Sequence, residues 1–229
     1  MTFMDTDRLI QTLVDTAKPV RPLPRPWIRS VFWLAIAIPY MALVVYVMSP
    51  RGDLMVKITE ARYIVEQLAA LATGIAAAIT AFATTIPGYS RKILLLPVLP
   101  LAGWLGALGE GCVSTLIQSG LNGLTLQSDW FCLPAIALVG AIPAVAMVVM
   151  LRRGAPLMPC TTVTLGALAA AGLGNFGLRL FHPQDASFMV LVWQFGSVFI
   201  LTAVAGCSGR HILNWRSLIG VAVRPTITE

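Results

Sequence analysis

Six blocks of predominantly apolar residues, each about twenty long and separated by short polar segments, leave this chain few folds to choose from. They run approximately over 31–48, 64–86, 93–111, 132–151, 161–180 and 188–207. At 1.5 Å per residue each is long enough to cross roughly 30 Å of hydrocarbon. Lipid offers no partner for an unpaired backbone amide, so blocks of this kind must be helices. Turn residues stand where spans should stop: Ser49-Pro50-Arg51-Gly52, Pro87-Gly88, Arg153-Gly154-Ala155-Pro156 and His182-Pro183. The expected fold is all-α, a polytopic membrane bundle of six transmembrane helices. Composition closes the alternative: 57% of residues are hydrophobic and 11% charged, against roughly 25% charged in a soluble domain.

The net charge of +6 does not form a nucleic-acid stripe, because the basic residues are scattered among the inter-helix segments. No direct nucleic-acid binding is expected. Counting alternate segments, one side holds Arg8, Lys18, Arg21, Arg25, Arg29, Arg91, Lys92, Arg152, Arg153, Arg210, Arg216 and Arg224. The other holds Arg51, Lys57, Arg62 and Arg179. This split of twelve to four predicts both termini in the cytoplasm. The N-terminus does not read as a cleavable signal, since some thirty polar and Pro-rich residues precede the first block. Three regions follow: a cytoplasmic segment 1–30, a membrane domain 31–207 and a cytoplasmic tail 208–229.

Within segment 1–30, Asp5 or Thr6 can cap a short helix on which Leu9, Ile10, Leu13, Val14 and Ala17 share one face. Asp7, Arg8, Gln11, Thr12 and Asp15 cover the rest. Pro19, Pro22, Pro24 and Pro26 then build an extended, semi-rigid arm. So short a helix is marginal alone in water, so its apolar face needs a surface. That surface is either the anionic leaflet or a cytoplasmic protein. Small residues recur every fourth position at Gly166/Ala170/Gly174, Gly103/Ala107/Gly111 and Ala69/Thr73/Ala77/Ala81, the pattern of closely packed helices. Ala-Ile-Pro occurs in both the first and the fourth span (Pro39, Pro143), in opposite orientations.

Catalytic and cofactor motifs are missing. His182 and His211 fall on opposite sides in this topology, and neither an enzyme nor a cofactor is expected. Coupled transport normally places ionisable groups at mid-membrane. Here Glu66, Glu110 and Arg179 sit at span ends, while Asn175 and Gln194, nearer the interior, can hydrogen-bond across helices. A small transporter or channel for a neutral substrate remains the alternative. Of the four cysteines, Cys160 and Cys207 lie toward the cytoplasm. Cys112 and Cys132 lie toward the periplasm, with Glu110, Asp129, His182 and Asp185 near them in topology. Thiols, an imidazole and carboxylates together can bind a soft metal or form an oxidisable centre. A lone membrane cysteine is equally a small apolar filler.

From Trp130 onward the chain resembles the NrsF family of membrane anti-sigma factors, negative regulators of extracytoplasmic-function sigma factors. The resemblance rests on Trp130-x-Cys132-Leu133, Pro143, Leu151-Arg152-Arg153-Gly154-Ala155-Pro156, His182 followed by Asp185, Trp193, and Gly209-Arg210-x-x-x-Asn214-Trp215. Thr6-Asp7-x-Leu9-Ile10 before a Pro-rich segment is similar to that family's opening. The resemblance implies that the N-terminal segment holds a sigma factor at a bacterial inner membrane, through Asp7, Leu9, Ile10, Leu13 and Val14, and releases it on a periplasm-side stress signal. It also implies a second cysteine directly after the loop histidine, where this chain has Pro183. Either Cys112 takes that place, or His182 and Asp185 bind a metal with Cys132, or the sensor is altered and the protein is a constitutive anchor.

Overall fold

A computed structural model describes residues 6–16, 23–120, 129–154, 156–183 and 186–213. Helix α1 (Thr6–Thr16) precedes α2 (Pro26–Met48), a short α3 (Leu54–Lys57), α4 (Ala61–Ala83), α5 (Val98–Ser119), α6 (Cys132–Leu151) and α7 (Pro159–Phe181). Helix α8 (Ser187–Cys207) contains a π-helical stretch, Val190–Phe195, and a one-turn helix Gly209–Ile212 follows it. Among the described residues there is no strand. Helices α2, α4, α5, α6, α7 and α8 are long and apolar enough to cross a membrane, which gives the expected six-span bundle. Two ends can be named from contacts alone. The arm end holds the starts of α2, α5 and α7; the far end holds the starts of α4, α6 and α8.

The spans differ from the sequence expectation where local chemistry moves their ends. Helix α2 begins five residues early because Pro26, which has no N–H to satisfy, suits the first helical turn. The third span shifts as a whole. Pro97 interrupts its start, so residues Arg91–Leu95 form a 3-10 turn and α5 begins at Val98. Gly109 and Gly111 do not stop it, and the helix runs on to Ser119. Gly111 is there for contact: a side chain on it would collide with the Arg62 guanidinium and the Ser187 hydroxyl.

Helix α7 is the hub, packed against α4, α6, α8 and α2. Small residues permit this. A Cβ on Gly174 would lie 2.6 Å from the Ile136 carbonyl, and Gly172 meets the backbone of Gly74. Backbones this close gain dispersion contacts where lipid removes the hydrophobic drive between helices. The stripes on α4 and α7 thus lie in buried seams, with Thr73, Ala77 and Ala81 wholly covered. The α5 stripe packs closely at Gly111, whereas Gly103 has nothing within 4 Å. Outward-facing Phe32, Leu43, Val47, Leu99 and Ile117 are exposed, as lipid-facing residues must be.

Candidate functional site

At the far end the chain brings together a thiol, a carboxylate and an imidazole. Asp129 precedes α6 by one tight turn, in which the Cys132 N–H donates to the Asp129 carbonyl at 3.3 Å. That turn sets Cys132 at the first position of α6, wholly buried. His182 closes α7, its N–H donating to the Leu178 carbonyl at 2.8 Å. Asp129 Oδ2 then accepts from Cys132 Sγ at 3.1 Å and lies 2.7 Å from His182 Nε2. The three ligand atoms lie within 4.8 Å of one another. Phe131 tilts against the His182 ring at 5.6 Å, and Trp130 meets Trp193 edge-on at 5.2 Å.

Burial pushes the Asp129 carboxyl up, but the hydrogen bonds from His182 and Cys132 outweigh it and hold the group below the usual carboxylate range. It is therefore ionised at neutral pH. A carboxylate, an imidazole and a thiol are the donor set of a borderline cation such as zinc, with three protein ligands and a fourth position open.

Of the residues expected at this site, Cys132 and His182 meet. Cys112 is not in the group: α5 carries it two turns short of the helix end, as a half-buried free thiol. Cys132 is likewise a free thiol. Asp185 lies outside the described residues. Asp129, noted in the sequence as a topological neighbour of Cys132, supplies the carboxylate of the group.

One turn below, a second polar layer crosses the α4–α7 seam. Arg179 Nη1 donates to Glu66 Oε2 at 2.5 Å, and Arg62 Nε lies 3.5 Å from Glu66 Oε1. The Tyr63 hydroxyl donates to the Arg179 carbonyl at 3.0 Å, with its ring under the guanidinium. The sequence reading placed Glu66 and Arg179 separately at span ends. Their opposite charges at matching depth at one end of the bundle were the available signal. Asn175 and Gln194, expected to bond across helices, are wholly buried, and their amides have no hydrogen-bond partner among the described residues.

The far-end cluster connects to the arm end through α6. Three donors on α2 reach main-chain carbonyls of α6: Tyr40 to Leu138 at 2.9 Å, Trp33 to Pro143 at 2.8 Å and Arg29 to Met150 at 2.6 Å. They tie the two helices along some 18 Å of α6, at 1.5 Å per residue. Arg29 also donates to Thr85 Oγ1 at 2.8 Å and stacks over Phe82, so it joins α2, α4 and α6 at the arm end. Beyond Arg25 the chain leads to α1. All eleven residues of α1 are exposed, and Leu9, Ile10, Leu13 and Val14 lie together on one side of it.

The model of NrsF, negative regulator of sigma F, matches residues 13–215. The chain belongs to the NrsF family. Its partner is accordingly a sigma factor, and its role regulatory. The match takes in the far-end cluster, the α2–α6 ties and Leu13 and Val14 of α1, but not Asp7, Leu9 or Ile10. Neither a curated protein nor a solved structure matches the chain.

Proposed function

We propose that this protein is a membrane-anchored anti-sigma factor that holds an extracytoplasmic-function sigma factor at the bacterial inner membrane. Asp7, Leu9, Ile10, Leu13 and Val14 form the docking face, and α1 remains cytoplasmic with the C-terminal tail. The observation that carries this reading is α1 itself: an eleven-residue amphipathic helix, fully exposed, in a chain of a sigma-regulating family. Its apolar stripe is the kind a helix-in-groove contact uses. The orientation is supported by charge. The four basic residues of the far end are each matched to a carboxylate: Arg51 to Asp53, Lys57 to Glu60, and Arg62 and Arg179 to Glu66. Twelve of the sixteen Lys and Arg residues fall on the arm side, the bias of a cytoplasmic face.

Release is triggered at the opposite face, where a thiophilic metal or an oxidant reaches Cys132, Asp129 and His182. Helix α6 starts at that cluster and is tied to α2, which carries the arm. The protein acts as a regulator and not as a catalyst. The test is membrane recruitment of the sigma factor by the wild-type chain and by the double variant Leu9→Asp, Leu13→Asp. Two carboxylates on the docking face should return the sigma factor to the soluble fraction. Unchanged recruitment would reject the docking face.

A further inference from the structure

The α6–α7–α8 side of the bundle carries a long furrow that none of the proposed regulatory steps uses. Its larger part encloses about 460 Å³ between Val145, Val148, Val163, Ala167, Ala205 and Ile212. A second part of about 200 Å³ shares Ala144, Ala167 and Ala205 and continues toward Ile136. The walls are hydrocarbon. Along the end of α6 the larger part runs from Ala144 to Arg152, eight rises or about 12 Å, close to one leaflet's share of a hydrocarbon core of about 30 Å. Its mouth opens at the arm end, where Arg152 lines it. Arg152, an exposed residue, donates from Nε to the Ile212 carbonyl at 3.0 Å, a bond that does not use its Nη1–Nη2 edge. Arg153 and Arg210 are exposed beside it. The described carboxylates of the bundle, Asp53, Glu60, Glu66, Glu110 and Asp129, all lie in the far half.

We infer that this furrow binds one anionic phospholipid of the arm-end leaflet, with an acyl chain between α6 and α8 and the phosphate on Arg152. The Nη1–Nη2 edge of a guanidinium, with its two parallel N–H groups, matches two phosphate oxygens. Basic pockets between membrane helices on the cytoplasmic side are the common form of anionic headgroup recognition. The lipid would tie the one-turn helix Gly209–Ile212 to α6.

The test uses the full chain, purified in zwitterionic detergent from vesicles of mixed phosphatidylglycerol and phosphatidylcholine, with retained lipid measured by native mass spectrometry. Wild type should retain one phosphatidylglycerol. Arg152→Gln should weaken retention about fivefold, the equivalent of about 1 kcal/mol per arginine near a headgroup. Ala205→Leu, which fills the furrow without touching charge, should lower it too, while Ala102→Leu on the open side of α5 should not. Circular dichroism checks that each variant keeps its helix content. Retention indifferent to both furrow variants, or equal for the two lipids, would overturn the inference. So would a dimer lost on Ala205→Leu, which makes a second copy the occupant. Lipid uptake appearing only when the chain ends at residue 213 would overturn it as well, by assigning the furrow to the chain's own tail.

Discussion

Asp129 Oδ2 is the one atom that both Cys132 and His182 reach, so the far-end cluster depends on it more than on either partner. Replacing Asp129 by Asn removes the charge and leaves a neutral amide in its place. Loss of a metal-site ligand or of its orienting partner typically costs 10–100-fold in affinity. Asp129→Asn should therefore raise by about tenfold or more the dose of thiophilic metal needed to induce a sigma-dependent reporter. Cys132→Ser should do the same, and Cys112→Ser should leave the dose unchanged; a uniform response across the three would reject the site. The sequence made Cys132 and His182 legible through chemistry and side of the membrane. It placed Cys112 at a helix end, because Gly109 and Gly111 resemble a helix stop, whereas α5 runs on to Ser119 and Gly111 is a packing contact. Asp129 was obscured for another reason. Proximity to Cys132 comes from a turn closing onto a helix N-terminus, and only the folded α7 then swings His182 against it.

At the level of elements, the helices were legible because hydrocarbon imposes one length on every span. The partners of each helix were not. Tyr40, Trp33 and Arg29 occupy one edge of α2 at increasing depth, but their acceptors are carbonyls, which every residue possesses and no side-chain pattern marks. Trp33 is wholly buried, and its indole N–H is committed to the Pro143 carbonyl. Trp33→Phe keeps a ring, forfeits that bond and leaves a small void. It should cost about 2 kcal/mol, read as a lowered thermal midpoint in detergent. An unchanged midpoint would mean the bond contributes nothing to holding α2 on α6.

Across the whole molecule, charge separates the two ends. The twelve-to-four bias was visible in sequence, whereas the pairing of all four far-end cations with carboxylates appears only in the fold. Met55, 77% exposed on the short far-end helix α3, and Arg153, exposed at the arm end, make this testable. In intact cells a membrane-impermeant maleimide should label Met55→Cys, and should label Arg153→Cys only after permeabilisation. The reverse pattern would invert the topology and with it the assignment of α1 to the cytoplasm. The central place of α7 was the least legible property, since six apolar blocks carry no label of rank. Glycine content does not single it out, since α5 carries four glycines as α7 does.

The ties between α2 and α6 are one-sided: every donor is a side chain of α2 and every acceptor is main chain of α6. Genetic drift therefore acts on the two helices unequally. A substitution in α6 changes its shape but still offers a carbonyl at each depth, so that surface can be rewritten without cutting the connection. A substitution at Arg29, Trp33 or Tyr40 removes a donor that nothing on α6 can replace. The inheritance of the link rests on three codons of one helix.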